Sequence, residues 1–118
     1  MGQFINFSNH PSSLWSSEQI DASRQYGEII DIPFPSVSPN FNEAQLKDFG
    51  KAYVEKIISM NPSCVMVQGE FTLCVFVINQ LMDYGIKTVA ACSERKVEES
   101  DQMKKVYFQF VKYREYVR

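Results

Sequence analysis

The chain has few residues that bind metals or form disulfides, and it has no long apolar run that would enter a membrane. Its 118 residues include one histidine and three cysteines. Cys64, Cys74 and Cys92 form no CxxC pair and lie among apolar residues, which predicts buried thiols in a reducing compartment rather than a disulfide framework or a zinc site. No apolar run approaches the ~20 residues that span a membrane, and the N-terminus predicts no signal peptide. We therefore expect a cytoplasmic protein without a metal or cofactor.

An excess of positive charge is also lacking. The formal net charge is -2, so the chain has no broad Lys/Arg surface of the kind that binds duplex nucleic acid. This balance still allows one small anionic ligand in a local site. A hydrophobic content of 45% excludes a disordered chain. The length predicts a single domain over residues 1–118.

Strand-like and helix-like segments alternate along the chain. Strands are predicted over residues 3–7, 28–32, 64–68, 88–91, 95–99 and 104–111. Three helices are predicted between them, the first two beginning at the capping residues Ser16 and Asn42. Such alternation implies parallel strands joined by right-handed crossovers. The predicted fold is a three-layer, Rossmann-like α/β domain with a mainly parallel sheet and a C-terminal antiparallel hairpin.

Polar side chains follow three of the predicted parallel strands. Ligands of open parallel sheets bind outside the carboxyl ends of the strands. We therefore expect these polar segments to meet at one edge of the sheet. They are Ser8-Asn9-His10, Gly69-Glu70-Phe71-Thr72 and Ser93-Glu94-Arg95.

The second segment predicts an anion site. Gly69 permits a close approach of the backbone or a positive φ, and Thr72 lies where the free N–H groups of a helix begin. Glu70 could orient His10 or Arg95, bond a hydroxyl, or stabilise the first turn of the helix. The sequence is neither a Walker loop nor GxGxxG, and an ordinary strand–helix turn stays open as an alternative.

The other two segments supply acid–base and hydrogen-bonding groups. His10 could act as a general acid or base, or donate to a phosphate. Arg95 could bind a phosphate through two parallel hydrogen bonds. A simple loop histidine and a solvated hairpin arginine are the alternatives. Small groups suited to ribose or base edges are Ser8, Asn9 and Ser93.

The third predicted helix, from Thr72 to Tyr84, is apolar around almost its whole circumference. A surface helix would show a polar face opposite the face that packs on the sheet. We therefore expect this helix to pack against a second copy of the chain and form a two-fold homodimer. A helix covered entirely within one subunit is the alternative.

Three short segments carry a resemblance to a known group. INFSNHP at residues 5–11, VQGEFT at residues 67–72 and SER at residues 93–95 resemble small stand-alone CRISPR-associated proteins of the CARF-like (CRISPR-associated Rossmann fold) group, which includes ring nucleases. The resemblance implies a homodimer that binds a cyclic oligoadenylate. Some such proteins only bind the ring, and others cut it without metal by using the ribose 2′-OH as the nucleophile.

The resemblance also implies roles for individual residues. His10, Glu70 and Arg95 would be catalytic. The remaining residues would bind the ligand at its base, ribose or phosphate: Ser8, Asn9, Gly69, Phe71, Thr72 and Ser93. The chain departs from the pattern in having few cations near this site. Two other functions stay open on the residues alone, a non-catalytic interaction protein and a binder of a mononucleotide or sugar phosphate.

Overall fold

The computed structural model describes residues 2–118 and has a mixed, Rossmann-like α/β fold. The strands are β1 (Gln3–Ser8), β2 (Glu28–Pro33), β3 (Cys64–Gln68), β4 (Thr88–Ser100) and β5 (Met103–Glu115). The helices are α1 (Ser17–Arg24), α2 (Glu43–Ser59) and α3 (Phe71–Asp83), and a short 3-10 turn covers Ser12–Leu14. Within residues 2–118, none of the helices combines the length and apolar character that crossing a membrane requires.

The five strands form one sheet in the order β2-β1-β3-β4-β5. The first four of these strands are parallel, and β5 is antiparallel to β4. The larger core cluster joins the sheet to α2 and α3, while α1 packs on the opposite face, beside a smaller cluster around Phe4 and Met66. The result is the three-layer arrangement predicted from the sequence.

The predicted caps start the first two helices, with one difference. At α2, Asn42 accepts from the Gln45 N–H and the Gln45 side chain accepts from the Asn42 N–H, so both bonds of a capping box form. At α1, the Ser16 hydroxyl accepts from the Gln19 N–H at 3.2 Å. The Gln19 side chain instead donates to the Tyr113 hydroxyl at 3.2 Å, so it joins α1 to β5.

Gly50 lies inside α2 at its contact with α3. A Cβ at this position would lie 2.5 Å from the ring of Phe76. The two helices therefore approach more closely than a larger residue would allow. Gly50 weakens α2 as an isolated helix, but its lack of a side chain leaves room for the Phe76 ring.

The structure corrects the prediction at the C-terminal hairpin. The sequence separated a strand at residues 88–91 from another at 95–99, whereas the structure has one continuous strand, β4. Its register with β5 shifts between Cys92 and Ser93, where Val111 of β5 is left without a partner. No glycine or proline occurs in β4, so nothing ends the strand, and β5 accommodates the register shift with Val111 as the extra residue of a β-bulge. The turn follows at Asp101, whose φ is 45°.

Most of this hairpin extends beyond the rest of the sheet. Pairing between β3 and β4 stops at Met66 and Val89, but pairing between β4 and β5 continues to Ser100 and Met103. Residues 93–110 therefore form a projecting two-stranded segment, which we call the ribbon.

Candidate functional site

The switch point of the sheet lies between β1 and β3. These strands are neighbours, but α1 follows β1 on one face and α3 follows β3 on the other. Helices that leave in opposite directions open a crevice at the carboxyl ends of the two strands. Ser8 and Gln68 form the last pair at that end.

A buried amide fixes the loop after β1. Asn6 is 2% exposed, and its Nδ2 donates to the His10 carbonyl at 2.8 Å and to Asp31 Oδ1 at 3.1 Å. The Ser8 hydroxyl donates to Asn6 Oδ1, and Trp15 Nε1 donates to the same His10 carbonyl at 3.1 Å. These bonds hold the main chain at His10 and leave its side chain exposed at the mouth of the crevice.

The gap between β3 and β4 is spanned by a side chain. Gln68 Oε1 accepts from the Ala91 N–H at 2.7 Å, two residues beyond the last β3–β4 backbone pair. This bond satisfies a main-chain donor that strand divergence leaves without a backbone partner. It also fixes Gln68 beside the opening between the two strands.

A cleft of about 800 Å³ occupies the α1 side of this edge. Its walls are the segment before α1 and the first turn of that helix, the end of β3, the middle of β4, and the base of the ribbon. The groups that line it include the aromatic rings Trp15, Phe108 and Phe110, the amides Gln19 and Gln68, and His10, Ser16 and Ser93. No Lys, Arg, Asp or Glu from residues 2–118 lines the cleft. Aromatic faces with amide and hydroxyl groups are suited to a neutral planar ring.

Tyr113 supports the inner wall of the cleft. Its hydroxyl lies 2.7 Å from the Ser23 hydroxyl and accepts from Gln19 Nε2 at 3.2 Å, and its ring packs on Phe110 and Phe4. Burial raises the pKa of Tyr113 above its ordinary value, even though its two hydrogen bonds act to lower the pKa. The hydroxyl therefore stays neutral near pH 7.

The structure brings only some of the predicted site residues together. His10 and Ser93 line the cleft. Ser8 and Asn9 line a smaller pocket of about 180 Å³ between β1 and β2. Arg95 is exposed on the ribbon, two residues beyond Ser93. Two more predicted residues, Glu70 and Thr72, line a third pocket of about 470 Å³ near the start of α2.

The N-terminus of α3 already has an anion, because the carboxylate of Glu70 caps it. The two Glu70 oxygens accept from the N–H groups of Thr72 at 2.9 Å and Leu73 at 2.8 Å, and from the Thr72 hydroxyl. Desolvation acts to raise the pKa of Glu70, but these hydrogen bonds outweigh it and lower the pKa. Of the roles predicted for Glu70, the structure shows the carboxylate that stabilises the first turn of α3. The hydroxyl that it bonds belongs to Thr72 of the same turn. A phosphate at this turn would have to displace Glu70.

The lack of a side chain at Gly69 allows the Phe34 ring to lie close to the backbone. Its φ does not lie in the left-handed region, unlike those of Gly27 and Gly85. A Cβ on Gly69 would lie 2.5 Å from the ring of Phe34, which packs on Phe7 in the core. The predicted close approach of the backbone is therefore present, with Phe34 as the neighbouring group. Phe71, the next residue but one, is 86% exposed.

Most of the apolar circumference of α3 is covered within the subunit. Its buried residues are Leu73, Cys74, Val77, Ile78 and Leu81. Phe76 packs on Gly50 of α2. The apolar side chains left exposed on this helix are Phe71 and Val75, with Tyr84 at its C-terminus.

The cysteines and acidic residues form no metal site in the part of the chain that is described. No group of three or more His, Cys, Asp and Glu side chains in residues 2–118 is arranged to hold a metal ion. All three thiols are free. Burial raises the pKa of Cys64 to about 12 and that of Cys74 to about 11.

Sequence reasoning missed several residues that build the cleft. The Asn6 amide and the Asp31 carboxylate fix its first wall, and Gln68 and Phe110 line it. Asn6 carries a usable signal, since a polar residue inside the apolar strand QFINF needs a buried partner. The contribution of Phe110 depends on the bulge at Val111 of β5, which no local sequence signal reveals.

Comparison with known proteins yields one family. The family model described as "Uncharacterized protein MJ1673 family" matches residues 2–114. No curated protein and no solved structure matches the chain.

Proposed function

The chain belongs to the MJ1673 family, and we propose that it binds a cyclic oligoadenylate, with an adenine ring of the ligand in the cleft on the α1 side of the sheet. The observation that carries this proposal is the lining of the cleft, in which aromatic rings lie beside glutamine amides without a charged side chain. Aromatic rings stack on bases, and glutamine amides can pair with the N6 and N7 atoms of adenine. The resemblance of INFSNHP, VQGEFT and SER to CARF-like proteins supports the choice of a cyclic ligand.

His10 is our candidate for acid–base chemistry on the bound ring. In the proposed reaction a ribose 2′-OH attacks the adjacent phosphorus, the P–O5′ bond breaks, and a 2′,3′-cyclic phosphate and a 5′-OH result. The 2′-OH loses a proton and the 5′ oxygen gains one, so a single imidazole could serve both transfers. Asn6 and Trp15 hold the His10 carbonyl and would thereby position the imidazole at the mouth of the cleft.

The phosphates would lie outside the cleft, toward the ribbon. Arg95 is the cation nearest along the chain to Ser93, and its exposed guanidinium could neutralise a phosphate. Ser8 and Asn9, in the neighbouring pocket, would bond ribose hydroxyls. Glu70, Phe71, Thr72 and Gly69 would enter the site only if a ligand extended across the edge of the sheet to the start of α3.

We also propose a cytoplasmic homodimer. Three free thiols suit a reducing compartment, and a ring of repeated nucleotides suits a two-fold symmetric pair of sites. The sequence assigned the dimer to α3, but the large apolar side chains that stay exposed on this helix are only Phe71 and Val75. The proposed dimer therefore does not depend on α3.

The test is titration of the full chain with cyclic tetra- and hexa-adenylate in EDTA, by calorimetry for binding and chromatography for cleavage. A matched pair of variants locates the ligand. We expect Phe108→Ala to weaken binding by about 10-fold or more, because stacking contributes roughly 1–3 kcal/mol per base, and Phe71→Ala to leave binding unchanged. If Phe71→Ala weakens binding and Phe108→Ala does not, the ligand binds at the start of α3. If neither cyclic oligoadenylate binds, the proposal is wrong.

Cleavage is tested separately from binding. If the ring is opened, His10→Ala should lower the single-turnover rate by about 10²-fold or more and change the dissociation constant by less than about threefold. A variant that cuts at the wild-type rate would remove His10 from the mechanism. Binding without any cleavage would leave a sensor or a sponge for the messenger.

A mononucleotide binder is the second candidate, because about 800 Å³ in one chain is enough for one nucleotide. A thermal-shift panel distinguishes the two candidates, since a bound ligand raises the unfolding temperature. AMP or ATP that stabilises the chain as strongly as cyclic tetra-adenylate would favour the second candidate. A chain that binds no nucleotide and associates only with a foreign protein would favour an interaction protein.

A further inference from the structure

The molecule is more extended than a compact domain of its size. Its radius of gyration is 15.9 Å, whereas a compact chain of this length would have about 13.5 Å. Its accessible surface is 7829 Å², against about 6,600 Å² expected for a monomeric protein of 13.6 kDa. The excess exceeds the ~800 Å² that each partner contributes to a typical stable interface. The ribbon is the part of the molecule that extends beyond the rest of the sheet.

One face of the ribbon is apolar and uncovered. Ala91 and Tyr113 are paired and pack on the α1 side of the sheet. Side chains alternate along a strand and cross-strand partners share a face, so the same face continues along the ribbon. From base to tip it carries the pairs Ser93 with Phe110, Arg95 with Phe108, Val97 with Val106, and Glu99 with Lys104. The exposed fractions of Val97, Val106 and Phe108 are 41%, 44% and 71%.

The opposite face of the ribbon is mostly polar, with Met103 at the tip as an exposed apolar side chain. Lys96 pairs with Glu94 at 2.9 Å, and the Tyr107 hydroxyl donates to Glu98 at 3.2 Å. This contrast makes the ribbon amphipathic. A two-stranded hairpin with one uncovered apolar face is marginally stable by itself in water, so the apolar face needs a partner.

We propose that this face pairs with the same face of a second copy of the chain, with the two ribbons antiparallel about a two-fold axis at Val97. The charges on the face match this arrangement, because Arg95 and Glu99 lie two residues to either side of Val97. The axis therefore places Arg95 opposite the partner's Glu99, and Phe108 opposite the partner's Lys104. Both juxtapositions are attractive, the first between opposite charges and the second between a cation and an aromatic face.

The position of α1 favours antiparallel ribbons over parallel ones. This helix packs on the same side of the sheet as the apolar face of the ribbon, and it contacts β5 at Tyr113. Parallel ribbons would bring the two α1 helices into collision, whereas antiparallel ribbons keep the two domains at opposite ends. The tip of each ribbon then reaches the base of the other, beside the partner's cleft. The second copy would therefore close the cleft, whatever ligand the cleft binds.

The first test is the oligomeric state of the full chain by light scattering and sedimentation. We expect twice the 13.6 kDa of one chain. Val97→Glu should raise the dimer dissociation constant by at least ~10-fold, because like charges meet at the axis. Val75→Glu, at an exposed position on α3, is the matched control and should leave the dimer intact. A monomeric wild-type chain, or a dimer broken by Val75→Glu and not by Val97→Glu, would overturn the proposal.

A charge exchange tests the register of the two ribbons. Arg95→Glu and Glu99→Arg should each weaken self-association, since each homodimer would contain two like-charge contacts. An equimolar mixture of the two variants should recover dimers, because both contacts are then between opposite charges. If the mixture stays as weakly associated as the separate variants, the antiparallel pairing is wrong. Circular dichroism of each variant separates loss of pairing from loss of folding.

Discussion

Removing the carboxylate that caps α3 should destabilise the whole domain by a predictable amount. In Glu70→Ala, the N–H groups of Thr72 and Leu73 lose acceptors at 2.9 and 2.8 Å. Loss of a cap costs about 1 kcal/mol, and loss of a negative charge at a helix N-terminus adds about 0.3–1 kcal/mol. We therefore expect a loss of about 1–2 kcal/mol in the free energy of unfolding.

The expected change in melting temperature follows from the size of the chain. An unfolding entropy of ~2.1 cal/mol/K per residue over the 118 residues converts 1 kcal/mol into about 4 °C. Differential scanning calorimetry at pH 7 should therefore show Glu70→Ala melting about 4–8 °C below the wild type. The matched control is Glu43→Ala, which removes a carboxylate from the first turn of α2, where Asn42 is the cap. This control should change the melting temperature by only about 1–4 °C.

The pH dependence gives the same prediction a second readout. The pKa of Glu70 is lower in the folded state than its ordinary value, because Thr72 and Leu73 donate to the charged form. A lowered folded-state pKa stabilises the fold above the unfolded-state pKa, and this stabilisation is lost as the pH falls through the folded-state pKa. The difference between wild type and Glu70→Ala should therefore shrink below about pH 4. Equal melting temperatures at pH 7, or an equal loss in Glu43→Ala, would refute the assignment of the cap.

Two further outcomes follow from packing and burial. Gly69→Ala should lower the free energy of unfolding by about 1–3 kcal/mol, because its Cβ would lie 2.5 Å from the Phe34 ring; an unchanged urea midpoint would contradict this. Brief iodoacetamide treatment of the folded chain at pH 8 should modify Cys92 alone, since the thiolate is the reactive form and burial raises the pKa of Cys64 to about 12 and of Cys74 to about 11. Mass spectrometry counts the additions, and rapid modification of all three thiols would show that the two buried positions open.

Local signals in the sequence were sufficient to predict most of the helices and strands. The strand Cys64–Gln68 has the bounds predicted for it, because an apolar run between Asn61-Pro62 and Gly69 has clear ends. The capping pair at Asn42 places the start of α2 correctly. These features depend on residues close together in the chain, so a single sequence contains the information.

The hairpin and the site depend on contacts between distant residues. The two strands predicted at residues 88–91 and 95–99 are one strand because β5 pairs along both of them. The position of the bulge, at Val111 of β5, is likewise set by this pairing rather than by a local motif. His10 and Ser93 were predicted at one edge of the sheet and line the same cleft, because the parallel order of the strands brings their ends together. The N-terminus of α3 was predicted as an anion site, but the carboxylate of Glu70, the residue that precedes the helix, accepts from its free N–H groups.

Emission from the single tryptophan tests the central claim most directly. The chain has one tryptophan, and Trp15 lines the cleft that we assign to adenine. Titration of the full chain with cyclic tetra- or hexa-adenylate in EDTA should quench this emission saturably, and Phe108→Ala should require at least ~10-fold more ligand for the same quench. Binding that calorimetry detects while Trp15 emission stays constant, or no binding of either ring, would contradict the assignment.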